Sequence, residues 1–143
     1  QSLGPVDSLH LSISGQWANR NLDASQQLVE GGIYTVRAYD MGALSADTGY
    51  LETLEWDHEL GAEWHGRWQA LAFLDSAQLT VNKNPWEAGK NFATLSGGGV
   101  GLNWTGLHHW NIKTVIAAHL GSTPTLVAET SGVRAWIELG KTF

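Results

Sequence analysis

Regular alternation of apolar and polar residues is the feature of this sequence that most restricts its fold. In the segment "LHLSISGQW", Leu9, Leu11 and Ile13 alternate with small or polar residues. Successive side chains of a β-strand point to opposite faces, so such alternation produces one apolar and one polar face. The same pattern returns along most of the chain, and it predicts an all-β fold.

The alternating segments predict an antiparallel meander of about six strands. Tight turns are predicted at Gly61, within "GAE", and near Gly106. Longer loops are predicted over residues 18–48, 82–93 and 121–131. Helical periodicity is not evident in any segment. Short turns would therefore join the strands at one end of the sheet and long loops at the other.

The composition agrees with a β-rich chain. Charged residues make up only 15% of the sequence, against about 25% in ordinary globular proteins. The chain instead holds 17 glycines, which suit tight turns, and 8 tryptophans, which suit amphipathic surfaces. Its formal net charge is −6 and it has no basic run, so no nucleic-acid partner is predicted. Cysteine is absent, which excludes disulfides and thiolate chemistry.

The alternation is compatible with two kinds of β protein. No apolar run approaches the roughly 18 residues of a membrane helix, but most predicted strands are near the 9–11 residues that a membrane β-strand needs. Tryptophans near strand ends would suit an aromatic girdle at the membrane surface. These residues are Trp17, Trp64, Trp104 and Trp110. Phe143 continues the apolar series of the last segment. A soluble sandwich or barrel would alternate in the same way.

Two short motifs carry a family resemblance. "VRAY" at 36–39 resembles the V-R-G-[FY] loop motif of outer-membrane barrels that carry periplasmic POTRA domains. "FLDSA" at 73–77 resembles the F-x-D-x-G strand motif of the same superfamily. The stretches "GQWANRNLDASQQLVEGGIYTVRAYDMGALSADTGYL" and "VNKNPW" are similar to the C-terminal β-barrel portion of two-partner secretion transporters. These transporters export haemolysins and filamentous adhesins.

The resemblance implies that the loop at about 18–48 folds back into the barrel lumen. Its tip residue Arg37 would pair with Asp75 on the inner wall, with Tyr39 and Phe73 packed around the pair. A guanidinium can hold a carboxylate through two parallel hydrogen bonds, which suits a latch. We therefore expect these four residues to form a latch, with no catalytic residue.

The chain departs from both motifs, because Ala38 and Ala77 replace glycines. The backbone at Ala38 is therefore expected to avoid positive φ. Three glycines lie on the predicted inner face of the segment "SGGGVG", namely Gly97, Gly99 and Gly101. They are predicted to leave room for a neighbouring backbone.

The resemblance also implies a location and partners. Residues 1–143 would form a single β-barrel domain, or a fragment of one, in the outer membrane of a Gram-negative bacterium. The barrel would export an unfolded adhesin- or haemolysin-type polypeptide, with membrane lipid around it and no cofactor or metal. About six strands are fewer than the roughly eight of the smallest single-chain membrane barrels. Two open edges would then be covered by a longer protein, by self-association or by refolding into a smaller soluble barrel.

The alternative is a stand-alone small soluble β-barrel that binds a small ligand or acts as a hydrolase. Ser96, Asp75 and a histidine could be imagined as a triad, although no spacing supports one. His58 and His65 flank a predicted turn and could meet across a hairpin, but too few ligands converge for a metal site. Four carboxylates could supply a glycosidase pair, although a hydrated inner wall explains them more simply. They are Glu52, Glu55, Asp57 and Glu59.

Overall fold

The computed structural model describes residues 1–63, 65–128 and 131–142. The predictions for Trp64 and Phe143 lie outside these residues. Helical structure in the described ranges is limited to two short 3-10 turns, Ala24–Gln26 and Leu107–His109. None of these residues belongs to a helix long and apolar enough to cross a membrane. The all-β prediction is confirmed.

Long antiparallel strands form one six-stranded sheet with the order β1-β4-β5-β6-β7-β8. The predicted meander of six strands is thereby confirmed. A small hairpin, β2-β3, lies in the segment between β1 and β4, where only a loop was expected. In chain order the strands are β1 (Asp7–Gln16), β2 (Leu28–Glu30), β3 (Leu44–Ala46), β4 (Thr48–Glu63), β5 (Gly66–Thr80), β6 (Phe92–Gly106), β7 (Trp110–His119) and β8 (Val133–Lys141).

The two faces of the sheet differ as the alternation predicts. Exposed apolar side chains cover the outward face along all six strands of the sheet. They include Leu11, Ile13, Leu54, Trp56, Leu74, Val100, Leu102, Ile116, Ile137 and Leu139. The core lies on the other face, where the β1–β4 connection packs Val36, Ala38 and Tyr39 against side chains of β5 to β7. The long connection thus acts as the second layer over the inward face.

The turn predicted at Gly61 is wrong. Gly61 lies inside β4, which continues to Glu63, and the hairpin turn follows at His65. Gly61 has a φ of 103° at a break in register after Glu59, so its left-handed backbone makes a bulge within the strand rather than a turn. The turn near Gly106 is present as the 3-10 turn Leu107–His109.

Candidate functional site

The most enclosed part of the β1–β4 connection is residues 31–43, here called the tip loop. It consists of three successive turns at 32–35, 36–39 and 40–43. In each turn the last N–H donates to the first carbonyl, over 3.2 Å in the first and 3.1 Å in the other two. The β2-β3 hairpin closes the base of the loop. This compact backbone carries Arg37 to the inward face of β5.

Arg37 and Asp75 form a bidentate ion pair. Arg37 Nε donates to Asp75 Oδ2 over 2.9 Å, and Nη2 donates to Oδ1 over 2.8 Å. The backbone N–H of Arg37 donates to Oδ2 as well, over 3.1 Å. Arg37 is 4% exposed and Asp75 2% exposed. One buried carboxylate therefore accepts three hydrogen bonds from one loop residue.

Two further side chains complete the surroundings of the guanidinium. Arg37 Nη1 donates to a carboxylate oxygen of Glu55 on β4. The guanidinium carbon of Arg37 lies 3.4 Å from the centre of the Phe73 ring, which is a cation–π arrangement. Burial alone would lower the pKa of Arg37, but its hydrogen bonds to Asp75 and Glu55 outweigh burial and raise that pKa. The guanidinium is therefore charged at any physiological pH.

Tyr39 anchors the far side of the same turn. Its ring stacks on His119 of β7 with centroids 4.0 Å apart and an angle of 14°. Its hydroxyl is hydrogen-bonded to the backbone of Ser96. Tyr39 and Phe73 belong to one buried cluster. The structure thus brings Arg37, Asp75 and Phe73 into contact and places Tyr39 beside them.

The two motif alanines are both fully buried. Among the described residues, Ala38 does not have a positive φ, as expected for a residue with a Cβ atom. Its methyl group faces Gly97 of β6, where an added Cβ would overlap it. An added Cβ at Gly99 would meet first the backbone carbonyl oxygen of Ile116 and then the Phe73 ring. The space left by glycine is therefore taken by a loop methyl group at Gly97, and by a neighbouring backbone and a ring at Gly99.

Residues 7–104 match the family described as "Haemolysin secretion/activation protein ShlB/FhaC/HecB". The chain belongs to this family. It is 27% identical over 139 residues to "Heme/hemopexin transporter protein HuxB" of Haemophilus influenzae strain 86-028NP, which is 95% of this chain and 24% of the relative. HuxB of strain ATCC 51907 is 28% identical over the same lengths. The chain therefore spans about a quarter of the length of these relatives, and the family predicted from its motifs is confirmed.

A polar cavity of about 360 Å³ lies beside Arg37 in this ShlB-family chain. The tip loop closes one side of it, and the inward faces of β1 and β4 close another. Hydroxyl-bearing residues line it together with the apolar side chains of Ile33 and Leu51, and Lys113 and Glu55 are charged neighbours. The hydroxyl-bearing residues are Ser12, Ser14, Thr53, Tyr34 and Thr35. The cavity borders the tip loop directly.

The residues considered for hydrolase chemistry do not assemble. Ser96 points to the outward face, whereas its neighbour Gly97 pairs with Asp75 and faces inward, so Ser96 and Asp75 lie on opposite faces and form no triad. Asp75 is in any case fully engaged by Arg37. His58 is hydrogen-bonded to Asp7 over 2.9 Å. Among the residues with described positions, His, Asp and Glu form no group of three suited to a metal ion.

The four carboxylates considered as a glycosidase cluster are divided between the two faces. Glu52 is exposed on the outward face, beside outward-facing Leu54. Glu55 contacts Arg37, and Glu59 contacts Arg67 over 3.3 Å. Asp57 lies 3.3 Å from His10. Each inward carboxylate therefore lies close to a basic side chain of the wall or loop.

Glu30, at the end of β2, is a buried group that sequence reasoning missed. It is 1% exposed, and its Oε2 has no hydrogen-bond partner. Burial raises the pKa of Glu30 from 4.5 to about 7. The hydrogen bond from Thr35 acts in the opposite direction, and the negative charge of Asp75 adds to the increase. Its only sequence signal is an acidic residue directly before the two glycines that open the tip loop.

Proposed function

We propose that this chain is part of an outer-membrane pore of a Gram-negative bacterium, through which a two-partner secretion transporter exports an unfolded haemolysin- or adhesin-type polypeptide. Membership of the ShlB/FhaC/HecB family supports this role. So does the similarity to HuxB, whose name describes a transporter. The observation that carries the proposal is the docking of Arg37 onto Asp75 from a loop that covers the inward face of the sheet.

The outward face of the sheet would contact lipid. Its exposed side chains include Leu74 on β5, Val100 on β6 and Ile137 on β8, which is 80% exposed. Soluble monomers rarely expose a continuous apolar surface of this extent, because water disfavours it. In a membrane β-barrel such a band is required, since the lipid-facing side chains must be apolar. This face therefore favours the membrane role over a stand-alone soluble barrel or hydrolase.

Residues 1–143 would contribute one continuous wall of a larger barrel, with the long loop at about 18–48 folded inside. In the described sheet, β1 and β8 are the two edge strands. A bilayer cannot satisfy the free N–H and C=O groups of an edge strand, so both edges need a neighbour. Relatives about four times as long have chain enough to supply the remaining strands.

In this role Arg37 would act as a latch. Its side chain joins the tip loop to two strands, β5 through Asp75 and β4 through Glu55. Burying these charges has a desolvation cost, so the pair need not add net stability. Removing one partner is different, because it leaves uncompensated buried charge and costs roughly 3–5 kcal/mol. A latch of this kind favours one loop position strongly over others.

The test is Arg37→Ala in the full-length protein. We expect faster hydrogen exchange at the turn amides of residues 32–43 and reduced secretion of the partner polypeptide. The matched control is Arg20→Ala, because Arg20 lies in the same β1–β4 connection but is exposed. Normal secretion together with unchanged exchange in Arg37→Ala would refute the latch.

A further inference from the structure

The inward side chains of β8 all point at the tip loop. Arg134 Nη2 donates to Asp40 Oδ2 over 2.7 Å. Trp136 Nε1 donates to the backbone carbonyl of Arg37 over 2.8 Å. The hydroxyl of Tyr34 donates to Glu138 Oε2 over 2.7 Å. Three consecutive inward positions of an edge strand are thus each hydrogen-bonded to the loop.

The three contacts follow a regular register. Tyr34, Arg37 and Asp40 are three residues apart along the loop, and their partners on β8 are two residues apart and run in the opposite direction. Two residues of a strand advance by about 6.6 Å. On the other side, each of the three loop residues lies in a different one of the three successive turns. The register indicates a continuous interface rather than three isolated bonds.

Arg37 belongs to two interfaces at once. Its side chain holds β5 through Asp75, while its carbonyl accepts from Trp136 of β8. In the sheet order, β6 and β7 separate β5 from β8, so the loop joins strands that are not neighbours. We propose that the tip loop is a clasp that positions the edge strand β8, so that undocking of Arg37 also loosens β8. This inference rests on the proposed latch function.

The clasp would matter most where β8 meets the rest of the barrel. In the sheet of the described residues β8 is an edge strand, and its outer edge is where a further strand would join the wall in the proposed pore. The position of a loop that holds β8 from inside would therefore affect the place where β8 meets that further strand. In this scheme Trp136, Arg134 and Glu138 are the β8 side chains through which the tip loop holds the strand in place.

Hydrogen exchange of the full-length protein tests the clasp. Trp136→Phe keeps an aromatic six-membered ring at this position and removes the pyrrole ring together with its N–H donor to the Arg37 carbonyl. We expect amide exchange to rise at least about fivefold in both the tip loop and β8, because one hydrogen bond and some packing are lost. Exchange in the middle of the β4-β5 hairpin should stay unchanged. The control is Trp86→Phe, because Trp86 lies exposed in the 81–91 loop. A rise in only one of the two segments, or in neither, would overturn the clasp.

A charge exchange at the partly exposed pair provides the second test. Asp40→Arg should raise exchange in β8, since it faces Arg134 with a like charge. Adding Arg134→Asp to the same protein should bring exchange in β8 back towards the starting value, and failure to do so would contradict direct pairing. Secretion measured in parallel separates the two ideas. Reduced secretion in Arg37→Ala with no clasp effect on β8 would leave the pore proposal standing and remove only this inference.

Discussion

Ala38 packs its methyl group against the backbone of Gly97, at the spot where a side chain on Gly97 would have to lie. Gly97 is also the cross-strand neighbour of Asp75, which binds Arg37. Adjacent loop residues therefore meet adjacent strand positions, one by charge and one by shape. The ion pair and the steric fit therefore act at neighbouring positions of the same loop.

Gly97→Ala should lift the tip loop from the wall. The new Cβ overlaps that of Ala38, so loop or strand must shift, at a cost of roughly 1–3 kcal/mol. The measurement is hydrogen exchange over residues 32–43 in the full-length protein. Gly89→Ala is the control, because nothing lies within 4 Å of an added Cβ there. Combining Gly97→Ala with Ala38→Gly should restore protection, and a double variant as exposed as the single one would contradict the steric fit.

Asp75→Asn should disturb loop docking more than Glu55→Gln. Asp75 is 2% exposed and accepts three hydrogen bonds from Arg37, whereas Glu55 is less buried and accepts one. We expect a loss of roughly 3–5 kcal/mol for Asp75→Asn, because Arg37 then stays buried with too little counter-charge. Glu55→Gln should cost about 1–2 kcal/mol. Protease resistance of the tip loop ranks the two variants, and equal sensitivity would refute the ranking.

The sheet and the loop contact were predictable from the sequence to different degrees. Alternation alone predicts the strands and their apolar face, because period-two patterning follows from strand geometry. The Arg37–Asp75 partnership came from the family motifs, since 38 residues separate the two along the chain. The glycines of "SGGGVG" predict room beside the inner wall, but neither Glu55 nor Gly97 indicates which loop residue it contacts, because that depends on strand register and loop path. The prediction of a turn at Gly61 was wrong because glycine supports a β-bulge as readily as a turn.

Val100→Arg should hinder assembly of the full-length protein into the outer membrane. Val100 lies on the outward face between Ala72 and Ile116, where the proposal places lipid. An arginine near the middle of a bilayer costs roughly 2–4 kcal/mol on the lipid face of a barrel. Ser12→Arg is the control, because Ser12 lines the polar cavity on the inward face. The readout is the amount of folded protein recovered in the outer-membrane fraction. Equal recovery of both variants would count against the lipid-facing assignment.

Glu30 should make loop docking weaken as pH rises. Its pKa is raised from 4.5 to about 7 when the loop is docked, chiefly by burial. Between these values the docked loop keeps a proton that an undocked loop has released, so docking is favoured at the acidic end and loses up to roughly 3 kcal/mol by neutral pH. Tip-loop hydrogen exchange, corrected for its intrinsic pH dependence, should therefore increase from about pH 5 to pH 8.

Glu30→Gln provides the control for that pH dependence. Glutamine carries no charge at any pH, so the corrected exchange of the tip loop should become nearly flat over the same range. The variant should also resemble the wild type at low pH, where Glu30 is protonated. A slope that survives in Glu30→Gln would assign the pH dependence to another group.

Asp47→Asn should release the base of the β1–β4 connection from the 81–91 loop. Asp47 is fully buried, and its carboxylate accepts from Leu22 N–H over 3.1 Å, Gln27 Nε2 over 2.9 Å and Lys83 N–H over 2.8 Å. Burial alone would raise the pKa of Asp47, but these hydrogen bonds outweigh burial and lower that pKa below 3.8. The stabilisation from the ionised carboxylate is therefore complete at neutral pH, and it is lost only as pH falls through the lowered pKa.

In Asp47→Asn the side-chain amide group must face a backbone N–H donor, at a cost of roughly 1–3 kcal/mol. Trypsin should therefore cleave the Asp47→Asn variant faster after Arg20. The control is Asp23→Asn, because the exposed Asp23 side chain makes no cap hydrogen bond, and this variant should be cleaved at the wild-type rate. Equal rates in both variants would show that the two loops are held together by other contacts.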